Sequence, residues 1–150
     1  MKRYHYTECG LDNIIIEGAD FLKDADDEET ICIPAINQLH RVIAEGILKR
    51  EGRMSGKELR FLRTEMGMTQ AQVAELLHRD VQTIARWEKG EVEMDGNADT
   101  LFRLMAAESL GIDLKEDVPT ISRKSVPQAG SREIIISTDA DAHGYHLKVA

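Results

Sequence analysis

The chain has 150 residues and a formal net charge of −8. That length holds one domain or two small ones, and no apolar run approaches the roughly 18 residues of a membrane-spanning helix. Its two cysteines, Cys9 and Cys32, fit a reducing compartment rather than a disulfide scaffold, and the opening MKRYHYTECG does not read as a signal peptide, so a cytoplasmic protein is expected.

In chain order, Asn13 to Glu17 (NIIIE) and Thr30 to Ile33 (TICI) read as short strands of an N-terminal β-hairpin. The run DADDEE at 24–29 lies between them. Its like charges repel, which favours a solvated turn over a metal site. From Pro34 to about Arg50 an amphipathic helix is expected, with Ile36, Leu39, Val42, Ile43 and Ile47 on one face. His5, Cys9, Cys32 and His40 are of the ligand types that close a tetrahedral zinc site. They lack a C-x₂-C pair, however, and a hairpin with incidental thiols and no bound metal is expected.

The stretch Ser55 to Gly90, SGKELRFLRTEMGMTQAQVAELLHRDVQTIARWEKG, reads as three short helices joined by tight turns. Ser55 with Glu58, and Thr69 with Gln72, form capping boxes that mark helix starts. Gly67 and Gly90 suit helix ends that need a left-handed residue. Leu59, Leu62 and Met66, then Val73, Leu76 and Leu77, then Ile84 and Trp87 recur at helical spacing. Helices of this length with two- to four-residue breaks have the dimensions of a helix-turn-helix.

In such a motif the N-terminal turn of the second helix enters the major groove. Asp80 is placed to cap that helix; Val81, Gln82 and Thr83 form its first turn and Arg86 lies one turn on. Gln and Arg read adenine and guanine edges bidentately, and Val can touch a thymine methyl. Gln70, first after the Thr69 cap, is placed to grip a phosphate with the helix N–H groups. Arg79 and Lys89 are expected on the DNA face, Lys89 toward backbone phosphate.

The pattern Thr-Gln-x-x-Val-Ala-x-Leu-Leu followed by Val-Gln-Thr-Ile-x-Arg-Trp-Glu-x-Gly resembles the lambda-repressor-like (XRE) DNA-binding domain over about residues 54 to 110. The resemblance implies a bundle of four to five helices and an ion pair between Arg63 and Glu88. Two positions depart from it. His78 stands where the family's turn residue is usually Gly, and Asp80 where Ser or Thr is favoured; its charge would face phosphate. The order of hairpin, helix and XRE domain is also similar to MqsA-type antitoxins, whose N-terminal zinc finger would here have lost its metal, Cys9 being what remains of a ligand pair in YHYTECGL.

Ala98 to Leu110 reads as a further bundle helix that ends at Gly111 and buries Leu101, Leu104 and Met105. Residues 112–131, with Pro119, Pro127 and Gly130, read as a linker or arm. REIIIST and YHLKVA flank TDADAHG as a C-terminal β-hairpin. Ile134, Ile135 and Ile136 form an unbroken apolar run, and Leu147 and Val149 alternate with polar residues. A lone hairpin is marginal in water. It therefore requires the N-terminal strands, a second subunit or another protein beside it. Asp139, Asp141, His143 and His146 read as turn residues rather than metal ligands.

The expected fold is thus α+β: a small α+β domain at 1–52 for partner binding or dimerisation, a helix-turn-helix domain at 53–111, and a linker with a hairpin at 112–150. No nucleophile-base pair, phosphate-cradling loop or paired carboxylates stand in a recognisable motif, so no enzyme is expected. The functional expectation is a homodimeric, sequence-specific regulator that reads a palindromic operator in double-stranded DNA and needs no cofactor. Within it, an antitoxin repressing its own operon and binding a toxin stands ahead of a free-standing phage or host repressor. The alternative class is a protein-interaction module whose helix-turn-helix no longer binds DNA, which the acidic charge favours. The charge is uneven: residues 1–52 carry 6 basic and 11 acidic side chains, residues 53–111 carry 8 and 10.

Overall fold

A computed structural model describes residues 3–18, 35–127, 132–138 and 144–148. The expected strand Thr30 to Ile33, the acidic run 24–29, Cys32, Pro34, Gly130, Asp139, Asp141, His143 and Val149 lie outside the described residues. The chain divides into two compact units, Met1–Gly46 with Arg132–Ala150, and Ile47–Ser131.

The first unit holds a four-stranded sheet in the order β1-β2-β3-β4. Its strands are β1 (Arg3–His5), β2 (Ile14–Glu17), β3 (Ile134–Thr138) and β4 (Tyr145–Leu147). The hairpin partner of β2 is Arg3–His5, with Tyr4 opposite Ile16. That strand is too short and too polar to stand out by periodicity. β2 and β3 run parallel, Ile14 to Ile16 opposite Ile134 to Ile136, and β4 closes the sheet antiparallel to β3. Of the three partners open to the C-terminal hairpin, the N-terminal strands are the one it takes. The unbroken Ile runs follow from this position, because β2 and β3 are the inner strands and Ile14, Ile16, Ile134 and Ile136 are buried. Lys148 Nζ donates to Glu17 at 2.8 Å, and this bond holds the Glu17 carboxyl below its usual range.

Helix α1 (Ile36–Lys49) follows in the chain. Leu39, Val42, Ile43 and Ile47 are buried as expected, whereas Ile36 is exposed. Gly46 brings the helix close to the sheet: a Cβ there would sit 2.9 Å from side-chain carbons of Ile134 and Leu147. Tyr6, 1% exposed, shares a hydrogen bond of 2.8 Å with His40 of this helix.

The second unit is helical: α2 (Gly56–Glu65), α3 (Gln70–Leu77), α4 (Val81–Glu88), α5 (Gly96–Leu110) and α6 (Val118–Arg123). Both capping boxes form, Ser55 with Glu58 and Thr69 with Gln72. Asp95 and Asp117 cap α5 and α6. α2 to α5 all end in paired hydrogen bonds of the Schellman kind, such as Arg79 N to Ala74 O (2.9 Å) and His78 N to Glu75 O (3.3 Å). That geometry needs a left-handed residue. Gly67, Gly90 and Gly111 supply it for α2, α4 and α5, and His78 (φ 57°) supplies it for α3.

Two expectations are corrected here. Residues 112–131 are not merely a linker: Asp117 starts α6, whose Ile121 is buried, and Gly52 N and Arg53 N bond the carbonyls of Lys124 and Val126 beyond it. The inner face of α5 is also not Leu101, Leu104 and Met105. It is Ala98, Asp99, Phe102, Arg103, Ala106 and Ala107, and Leu101 is 40% exposed. The reason is an ion pair. Arg103 Nε donates to Asp99 Oδ2 at 2.8 Å with both side chains fully buried. The same guanidinium donates to the carbonyls of Leu48 (3.2 Å), Arg50 (2.7 Å) and Gly52, and Asp99 Oδ1 accepts from Met54 N at 3.0 Å. The pair satisfies the backbone of residues 48–54, which is why charge stands where apolar periodicity would place leucine. Beside it, Arg50 donates twice to Glu58, at 2.6 and 2.7 Å.

Candidate nucleic-acid interface

The candidate interface is built on α3, α4 and the turn Leu77–Asp80–Val81 between them. α4 begins at Asp80, whose backbone is extended (φ −69°, ψ 148°) and whose carbonyl accepts from Thr83 N at 3.0 Å. Its carboxylate makes no capping hydrogen bond. The expected side-chain cap is therefore absent, and the charge is exposed at the start of the helix.

Ile84 and Trp87 are buried, and the Glu88 side chain is 5% exposed. These three fix the inward face of α4. Val81, Gln82, Arg86 and Lys89 are exposed on the opposite side, with Thr83 half-buried at its edge. Val81 is 45% exposed.

A polar anchor underlies this face. Arg63 of α2 donates to Glu88 through Nε (2.6 Å) and Nη2 (3.0 Å), and to the Met68 carbonyl through Nη1 (3.0 Å). The Glu88 hydrogen bond holds the Arg63 guanidinium above its usual pKa. Gln70 joins it: its Nε2 donates to Glu88 Oε1 at 3.0 Å. The first residue of α3 is thereby tied to the last of α4. Arg79 makes intramolecular contacts of its own. Its Nη2 lies 3.0 Å from Asp95 Oδ1 and its guanidinium stands 5.7 Å over the Trp87 ring. The spacing arguments did not reach this pair, nor the Gln70 link, because each depends on how loops return in space.

Residues 59–115 match the family model described as Helix-turn-helix. This segment is a helix-turn-helix domain. The helix-turn-helix domain is of the DNA-binding, regulatory kind, and α4 is its second motif helix. No curated protein and no solved structure matched the chain.

The metal-ligand types of the first unit are placed as follows. His5 Nε2 is 2.6 Å from the Asp12 carbonyl, His40 is bonded to Tyr6, and Cys9 Sγ lies 3.9 Å from the Tyr6 carbonyl. Among the described residues no group of three or more His, Cys, Asp or Glu side chains could hold a metal ion, and no described helix is long and apolar enough to cross a membrane.

Proposed function

We propose that the protein is a sequence-specific transcriptional regulator that reads its operator through α4. The observation that carries this is the division of α4: Gln82 and Arg86 stand exposed while Ile84, Trp87 and Glu88 are tied into the bundle. Gln82 and Arg86 are assigned to base edges and Val81 to a thymine methyl. Thr83 and Lys89 are assigned to the flanking backbone. Gln70 spends one amide N–H on Glu88; its second reaches a phosphate and couples the backbone contact to the anchor.

The operator is palindromic and a homodimer reads it, with half-sites about one helical turn (~34 Å) apart. The protein acts as an antitoxin that represses its own operon. The sheet and α1 of the first unit, and not the helix-turn-helix domain, engage the toxin. The support is the division of the chain: it holds a second compact unit in addition to the one that carries the helix-turn-helix.

A mobility-shift assay with generic duplex DNA at low and at physiological salt tests the DNA reading, because contacts of exposed cations such as Arg86 and Lys89 with phosphate are strongest when screening is weak, while the net charge of −8 opposes them. Absence of any shift at low salt would favour the protein-interaction reading. Co-purification with the product of an adjacent reading frame, lost when residues 1–46 are altered and kept when α4 is altered, tests the antitoxin role. A free-standing repressor would show no such partner.

A further inference from the structure

We infer that Arg79 is a positioning residue for the recognition helix, acting through Asp95 and Trp87, rather than a phosphate ligand. The inference rests on the reading that α4 enters DNA. Arg79 sits in the turn between α3 and α4, where a basic side chain is ordinarily assigned to the DNA backbone. Its guanidinium is directed elsewhere. Nη2 lies 3.0 Å from Asp95 Oδ1, and the guanidinium carbon is 5.7 Å from the centre of the Trp87 ring.

Helical geometry locates this contact. Successive residues turn by about 100°, so Trp87 lies about 100° round α4 from Arg86 and about 140° from Gln82. A cation stacked on Trp87 is thus off the face that Gln82 and Arg86 present. Asp95 gives the second reason. Its Oδ2 accepts from Ala98 N at 3.3 Å and caps α5. Its Oδ1 is out of contact with water and accepts no hydrogen bond of regular geometry, so the guanidinium of Arg79 is the compensating charge that faces it. Moving Arg79 to a phosphate would strip that oxygen of its cation and uncover Trp87.

The arrangement closes a loop in the fold. The α3–α4 turn, the side of α4 and the N-terminus of α5 meet at one guanidinium, whose planar fork and flat face serve an oxygen and a ring together. Glu88 holds the C-terminal end of α4 through Arg63 and Gln70. Arg79 holds the opposite side, so the helix has two anchors, neither of them on its exposed face.

The test uses the full chain with Arg79→Ala, Arg79→Lys, Asp95→Asn and the Arg79→Ala/Asp95→Asn double variant. Asn retains the α5 cap. Trp87, the only tryptophan, reports the contact by its fluorescence without DNA. The inference expects a shifted Trp87 emission in Arg79→Ala and Asp95→Asn, no rescue by Lys, and a double variant no worse than either single one. It expects the preference for a selected duplex over scrambled duplex to fall on the order of threefold to tenfold, with an unchanged salt slope. A Trp87 signal that does not respond to Asp95→Asn would overturn it. So would a salt slope lowered by about one in Arg79→Ala together with tighter binding in Asp95→Asn, the signature of a phosphate ligand held back by a carboxylate. Failure of the wild-type chain to bind duplex DNA would sink the DNA reading instead, and the Trp87 emission and double-variant stability would still decide the tether.

Discussion

His78 holds a left-handed backbone, φ 57° and ψ 46°, in the turn that sets α3 against α4. The Schellman bonds at that turn demand the conformation, and three sister turns use Gly. A Cβ in this region carries a cost that His tolerates better than most residues. His78→Gly is expected to stabilise the domain by up to about 1 kcal/mol, the gain being reduced by the greater freedom of Gly in the unfolded chain. Thermal melting checks it; a lower Tm would contradict the strain argument. Asp99 and Arg103 present the opposite case. Each is 0% exposed, and the guanidinium serves three carbonyls besides the carboxylate. Removing one member leaves an uncompensated buried charge, so Arg103→Met should cost about 3–5 kcal/mol in urea unfolding. A loss below about 1 kcal/mol would mean that the pair is dispensable. At this scale the sequence was legible where a residue acts on its neighbours: the capping boxes, the left-handed turn positions and the inward Ile84 and Trp87 were all readable from spacing. Arg63 with Glu88 came from family resemblance. Asp99 with Arg103, Arg50 with Glu58 and Arg79 with Asp95 were not readable, since their partners are chosen by packing and not by spacing alone. One signal was present, an Asp and an Arg four residues apart on the same helix face as Phe102 and Ala106.

Among the elements, α2 and α4 meet most closely at Gly56. A Cβ there would lie 2.1 Å from the Trp87 carbonyl oxygen and 2.7 Å from that of Glu88, both of them backbone atoms. Gly56→Ala is therefore expected to force the helices apart, cost about 1–3 kcal/mol and weaken DNA binding along with stability. Unchanged melting would refute the close approach. Strand β3 carries an equally sharp expectation. It lies between β2 and β4, so deleting residues 132–150 removes an inner strand and not an ornament on an edge. The truncated chain should lose the sheet and keep the helix-turn-helix domain, seen as loss of strand amide protection beside intact helical protection in hydrogen exchange. Protected amides at Ile14 to Ile16 in the truncated chain would contradict the topology. The unbroken Ile134 to Ile136 run did announce a strand covered on both sides. Its parallel partner, 120 residues back in the chain by the register of Ile14 opposite Ile134, could only be left open. The phase of α5 was misread for a related reason: Leu101 is exposed and Leu104 and Met105 are half-buried, while Phe102, three alanines and an ion pair form the inner face.

For the whole molecule, charge and architecture pull in different directions. A net charge of −8 opposes approach to DNA, and the exposed Asp80 adds to it at the helix that must dock. Specific contacts therefore carry more of the affinity than in a basic DNA binder, and nonspecific binding should fade steeply between low and physiological salt. Under the proposed function such contacts would come from the exposed face of α4, which Arg63, Glu88 and Gln70 anchor from beneath. The most direct measurement is selection of bound sequences from a random duplex pool at moderate salt, repeated with Gln82→Ala and Arg86→Ala. A two-fold symmetric motif should emerge, and each substitution should erase the preference at its own base positions, at a cost of ~1–3 kcal/mol per half-site contact. A pool that stays unenriched, or a motif that both variants select unchanged, would contradict recognition through α4.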